Sequence, residues 1–145
     1  MYKEKTVMNI RKLDHVSFLV KDVERSRSFY SQVLGLREIP RPSNASKVGA
    51  WLTNDEHSFQ VHLIGEDEEG RVEQTHTRYR PDELAQGHGS HAAFEVENLE
   101  ATMQHLGSQN VEIVGGPRPR GDGVQQLFIC DPDGYLLELF VWETR

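Results

Sequence analysis

One cysteine, Cys130, stands in a chain of 145 residues, so no internal disulfide is available and the fold must be held by packing alone. Such a chain suits a reducing, cytoplasmic setting. No apolar run approaches the roughly 18 residues that span a bilayer. The polar start "MYKEKTVMNIRK" also lacks the apolar centre of a secretory signal, so no membrane contact is expected. Cationic side chains are in deficit, 16 Lys and Arg against 23 Asp and Glu. That balance argues against broad binding to nucleic-acid phosphates while leaving room for a local basic pocket. The length is enough to bury most of the apolar surface in one compact domain.

What the chain does have is a spacing that occurs twice. From His15 to His62 is 47 residues, and from His91 to Glu138 is again 47. Setting His15 on His91 puts Phe18 on Phe94, Val20 on Val96, Asp22 on Asn98 and Tyr30 on Leu106, so "HVSFLVKDV" and "HAAFEVENL" run in register. The copies drift where Gly35 and Gly107 fall 20 and 16 residues beyond their histidines, and they regain register at 62 and 138. A repeat that drifts and recovers is what two diverged copies of one unit produce.

Each copy reads β-α-β-β-β. In "LDHVSFLV", His15, Ser17 and Leu19 share one face of a strand while Val16, Phe18 and Val20 share the other. Asp22 is the N-cap of a helix carrying Val23, Tyr30, Val33 and Leu34 inward and stopping at Gly35. Strands are expected at 36–39, 48–53 and 58–64, with "NDEHS" as a turn. Residues 66–90 break the pattern with charge, glycine and proline and read as a connector of lid, arm or mobile type. The second copy runs as strand 91–96, helix 99–106 capped by Asn98 and ended by Gly107, strand 111–115, loop "GPRPRGDG", strand 123–130, turn "DPDG" and strand 135–142. The expected domain is 11–142, with modules at about 11–65 and 91–142. The fold class is α+β.

Glu138 lies mid-strand among apolar neighbours, and an isolated buried carboxylate is too costly to keep without a partner. Gln60, His62 and Ile64 occupy the matching face of the equivalent strand. His15, His62, His91 and Glu138 are thus expected to converge as metal ligands, two or three imidazoles with one carboxylate. That donor set suits a divalent transition metal, Zn, Ni, Co, Mn or Fe, with open positions for substrate or water. His62 is either a ligand or a neighbouring general base. His57, His76, His88 and His105 read as solvated. Arg118 and Arg120, with Arg41, are candidates to hold an anionic group of a substrate, and Trp51, Phe140 and Trp142 to wall it, set against the plainer readings of solvated loop charges and core packing.

The paired units, the opening "LDHVSFLVKDVERSRSFYSQVLGL" and the close "LFICDPDGYLLELF" resemble the vicinal oxygen chelate superfamily: glyoxalase I, fosfomycin-modifying transferases, bleomycin-resistance proteins, methylmalonyl-CoA epimerase and extradiol dioxygenases. The resemblance runs from about Leu13 to Trp142. It implies two modules forming a half-barrel around a metal that chelates vicinal oxygens of a small substrate, with ligands matching His15, His62, His91 and Glu138. It also implies a homodimer, in which the site closes within one chain or between two. Phe128 stands where extradiol enzymes carry tyrosine, which disfavours ring cleavage. Arg145 is a poor spacing match to the arginine of the fosfomycin enzymes. Histidine at 62, where glyoxalase I most often has Glu or Gln, departs from the usual pattern but leaves Glu138 and an imidazole to act as acid or base. The resulting expectation is a glyoxalase-like lyase or isomerase with Glu138 and His62 catalytic. The alternatives are a non-catalytic protein that sequesters a small ligand and an Fe(II) dioxygenase.

Overall fold

The computed structural model describes residues 8–45, 48–75 and 78–143, so His76 and Arg145 lie outside the described residues. The first unit is β1 (His15–Val20), α1 (Val23–Ser28), β2 (Arg37–Ile39), β3 (Gly49–Thr53) and β4 (Gln60–Gly65). The second is β5 (His91–Glu95), α4 (Leu99–Ser108), β6 (Gly115–Pro119), β7 (Val124–Cys130) and β8 (Leu136–Trp142). Between them lie two short helices, α2 (Arg71–Thr75) and α3 (Pro81–Gln86). The chain is α+β, two βαβββ modules, each with its own four-stranded sheet, and there is no closed barrel among the described residues.

The two sheets repeat one topology, β1-β4-β3-β2 and β5-β8-β7-β6. In each, the first strand runs parallel to the last. Ser17 pairs with His62 and Ala93 with Glu138, so the internal repeat holds at the level of hydrogen-bonded register. Asp22 caps α1 by accepting from the Arg25 N–H at 3.2 Å, and Asn98 caps α4 through the Ala101 N–H at 2.8 Å. The first helix loosens into a π-helical turn over Phe29–Val33 before Gly35 turns the chain at φ 71°.

Three expectations from the sequence are corrected. Gly107 lies inside α4, and the left-handed exit falls on Asn110 at φ 57°, a residue type that tolerates that region. The strand expected at 111–115 is shifted onto 115–119, within the stretch that reads as a loop. Glycine explains this: a Cβ on Gly115 would lie 2.1 Å from the Ala85 carbonyl oxygen, so only glycine lets β6 pass against α3, and the pairing slips between Gly115 and Arg118. The connector, which carries no apolar periodicity long enough to announce helices, is partly helical. A capping box on Arg80 and Glu83 and the left-handed Gly87 bound α3.

The apolar faces of both sheets contribute to one core. Val16, Phe18, Val20, Val61 and Leu63 from the first module join Ala92, Phe94, Leu137 and Leu139 from the second in a single cluster. A buried polar latch crosses the same junction. The Tyr30 hydroxyl donates to Asp131 Oδ2 at 2.9 Å, the Asp133 and Tyr135 N–H groups donate to Asp131 Oδ1 at 2.9 Å each, and the Tyr135 hydroxyl donates to the Leu19 carbonyl at 2.7 Å. Asp133, its side chain buried, accepts from Arg25 Nη2 at 3.0 Å. His105 is exposed, yet it is more than a solvated side chain, because its Nε2 donates to the Gln32 and Val33 carbonyls at 3.1 and 3.0 Å and ties α4 to the π turn.

Burial pushes the Asp131 carboxyl up to about 6, against hydrogen bonds from Tyr135 and Tyr30 that favour its ionised form. The folded state therefore takes up a proton near pH 6 that the unfolded chain takes up only near 3.8, and the cost of the buried charge is relieved as pH falls through that window. Wild type should gain stability relative to Asp131→Asn between pH 7.5 and 5, read as the difference in Tm. At neutral pH, Tyr30→Phe should cost about 1.5–3 kcal/mol in urea unfolding, because it leaves the buried carboxylate oxygen without its donor.

Candidate functional site

Strand alternation decides where the candidate residues point. Since Val16 and Phe18, Val61 and Leu63, and Leu137 and Leu139 face the core, His15 before Val16 and the intervening His62 and Glu138 occupy the opposite sheet faces. The two modules share that core, so their polar faces are turned away from it. Among the described residues no three His, Cys, Asp or Glu side chains converge. The four candidate ligands occur as two pairs within one chain, His15 with His62 and His91 with Glu138.

In the first pair, His62 is sandwiched. Its ring stacks on Trp51 at 3.8 Å and on His15 at 4.0 Å between centroids. Its Nε2 donates to Gln60 Oε1 at 2.7 Å, and burial, helped by the neighbouring His15, holds its pKa below the usual 6.5. The imidazole is therefore neutral at pH 7, as a metal ligand must be. His15 donates from Nδ1 to Asp14 Oδ2 at 2.8 Å, which leaves the lone pair on Nε2.

The second pair repeats this with different means. His91 Nδ1 donates to the Gly89 carbonyl at 2.7 Å, which aims Nε2 at Glu138 Oε1, 3.1 Å away. A proton or a metal ion shared between the two atoms suits this geometry. Orientation of Nδ1 by a carboxylate or carbonyl is the arrangement that metal-ligating histidines use, and two ligand atoms bound at about 2.0–2.2 Å to one ion stand roughly 3 Å apart. The second pair fits a transition metal by this test; in the first, His15 has its Nδ1 oriented in the same way, whereas His62 stacks on it with Nε2 engaged by Gln60. The connector takes part in it: a Cβ on Gly89 would lie 2.7 Å from the Tyr79 ring, and the Tyr79 hydroxyl accepts from the Ser90 N–H at 3.0 Å, so α3 and its flanks fix the backbone that orients His91.

Glu138, only 4 % exposed, also meets Arg120 Nη1 at 3.4 Å. Arg120 is itself held by Asp122 through Nε and Nη2 and lies 5.7 Å from the Phe140 and Trp142 ring centres. Arg118 sits 5.3 Å from the Phe128 ring, which stands edge-on to His91. The two arginines of the glycine-proline loop and the aromatic wall therefore gather around His91 and Glu138. Arg41 lies elsewhere, donating to the Gly49 carbonyl at 3.2 Å. Along the open edges of β1 and β5 runs a groove of about 850 Å³, floored by Val16, Phe59, Phe94 and Val96 and reached by both His15 and His91.

The sequence pattern gives Asp14, Gly89 and Asp122 no part in the site and puts Gln60 only on the strand face of His62. Asp14 was visible, being adjacent to His15. Gly89 contributes a backbone carbonyl, which no side-chain pattern reveals.

Comparison with known proteins agrees with this architecture. The profile of the Glyoxalase/Bleomycin resistance protein/Dioxygenase superfamily matches residues 12–139, and the chain belongs to that superfamily. It is 31% identical over 134 residues to a protein of Arabidopsis thaliana named glyoxylase I 4, covering 91% of this chain and 71% of that protein. It is 31% identical over 137 residues to the lactoylglutathione lyase of Escherichia coli O157:H7, covering 88% and 90% respectively. A fosfomycin resistance protein from Listeria monocytogenes shares the fold, with a TM-score of 0.67 at 19% identity over 90% of this chain and 91% of that one. No helix among the described residues is long and apolar enough to cross a membrane.

Trp51→Ala would open one face of the His62 ring to water. The His62 pKa should then rise toward 6.5, followed through its ring protons by NMR titration; an unchanged value would show that burial by Trp51 is not what lowers it.

Proposed function

We propose that this protein is a metal-dependent, glyoxalase-like lyase or isomerase that works on a small substrate with vicinal oxygens, such as a thiol adduct of a 2-oxoaldehyde. Its site is shared between two copies of the chain: His15 and His62 of one copy meet His91 and Glu138 of the other around one divalent transition metal. The observation that carries this reading is the matched pair of half-sites. Each has its first-strand histidine fixed through Nδ1 and a second candidate ligand at the equivalent register position, and each holds too few donors for an ion alone. The names of the relatives support the reaction class.

A twofold dimer accounts for the exposed edges. β1 and β5 are both outer strands whose free edges flank the apolar groove, and a second copy related by a twofold would bring β1 of each chain to β5 of the other. The domain then spans 11–142, and the site's two halves are completed only in the assembly. The lone free cysteine supports a cytoplasmic setting.

The metal, when bound, polarises the vicinal oxygens and stabilises negative charge that develops on them. The chain's own residues do the rest. Glu138, buried, takes a proton from the substrate carbon and returns it to the neighbouring one. His62, kept neutral by its ring sandwich, serves as ligand or as the second proton carrier. Phe128, Phe140 and Trp142 shield the reacting face from water, and Arg118 and Arg120 hold an anionic group.

Protein purified without chelator should carry near-stoichiometric Ni, Zn, Co, Mn or Fe and convert the hemithioacetal of methylglyoxal and glutathione. A metal-free protein that binds small ligands tightly without turnover would favour the sequestering alternative. Complementation tests the sharing directly. His15→Ala/His62→Ala and His91→Ala/Glu138→Gln chains should each be inactive alone, whereas co-expression should restore about a quarter of wild-type activity, since half the dimers are mixed and each has one intact site. No recovery would place the site within one chain.

A further inference from the structure

Glu138 is almost wholly buried, and a buried carboxylate needs a counter-charge. His91 gives its Nδ1–H to the Gly89 carbonyl at 2.7 Å and sets Nε2 3.1 Å from Glu138 Oε1. The permanently charged group beside it is Arg120, whose Nη1 lies 3.4 Å from Glu138 Oε2. Arg120 is not dependent on Glu138 for its own position. Nε and Nη2 make a charge-assisted fork on Asp122, at 3.1 and 2.7 Å, and the guanidinium rests beside Phe140 and Trp142. One nitrogen of a fixed guanidinium therefore faces the site, and its present partner is the carboxylate proposed to bind metal.

We propose that Arg120 is a stand-in cation for the metal: it balances Glu138 in the metal-free chain, and once an ion takes that carboxylate its Nη1 is released to hold an anionic oxygen of the substrate. Anion binding is thereby made conditional on metal loading. The fixed fork matters because a guanidinium that followed Glu138, or swung into solvent, would present nothing to the ligand; Asp122 keeps it aimed. The inference rests on the metal-site reading above and adds an order of events to it.

The test is calorimetric and needs no turnover. Ni(II), and separately Zn(II), is titrated into metal-stripped wild type, Arg120→Met and Arg120→Lys. Arg120→Met removes a positive charge beside the incoming ion and should tighten metal binding about tenfold, while Arg120→Lys, which keeps the charge, should stay near wild type. A purely structural role predicts the reverse, since loss of packing around Glu138 would weaken the metal. Oxalate, a dianion with vicinal oxygens, should then bind metal-loaded Arg120→Met about tenfold more weakly than metal-loaded wild type, and should not bind metal-free wild type measurably. Unchanged or weakened metal affinity in Arg120→Met, or oxalate binding to the metal-free protein, overturns the inference. Wild type that takes up neither metal would instead overturn the metal-site reading beneath it, an outcome separate from the other two.

Discussion

Each sheet of this protein has one apolar face, and a four-stranded sheet cannot leave such a face in water. The two modules meet this constraint with each other: their apolar faces close on one core, joined by Tyr30, Asp131 and Tyr135 across the junction. Everything else follows from that choice of partner. Because strand residues alternate, His15, His62, His91 and Glu138 fall on the faces turned away from that core, in two pairs set among Trp51, Phe128, Phe140 and Trp142. The repeat that puts these four side chains at equivalent positions is the same repeat that keeps the pairs apart within one chain. Under the proposed function a second copy completes a site of four donors, joined along the free edges of β1 and β5.

The two halves reach similar chemistry by different local means. In the first, aromatic stacking and burial keep His62 neutral, and a carboxylate orients His15. In the second, a backbone carbonyl orients His91, and an arginine fixed by Asp122 balances Glu138. The asymmetry follows from the sequence difference between copies: a neutral imidazole needs only shelter, whereas a carboxylate in the same place needs charge. Arg120 and the glycines that bring β6 against α3 occur in the second module, where that charge is required.

Much of this was legible from the chain. Alternation in "HVSFLV" and "HAAFEV", the caps Asp22 and Asn98, and the 47-residue spacing fixed the modules and the ligand faces, because periodicity and capping are local physics. The rest depends on contacts between distant segments. The Gly115 strand reads as a loop until the α3 backbone it must clear is present, and the connector hides helices too short to show a period. His105 looks solvated until the π turn it meets is in place. The "DPDG" segment reads as a turn, and nothing local reveals that its two aspartates are buried against Tyr30 and Arg25. Nor does spacing tell whether equal positions in two copies converge within one molecule, since that depends on which faces the modules bury.

The central claim is that both pairs, one from each of two chains, surround a single ion. X-ray absorption at the metal edge of the loaded protein tests it most directly, because the scattering shell counts imidazoles and light oxygen donors around the ion. The claim predicts three imidazole nitrogens and at least one carboxylate oxygen, with no sulfur. A shell with one imidazole, or with a thiolate from Cys130, would contradict it.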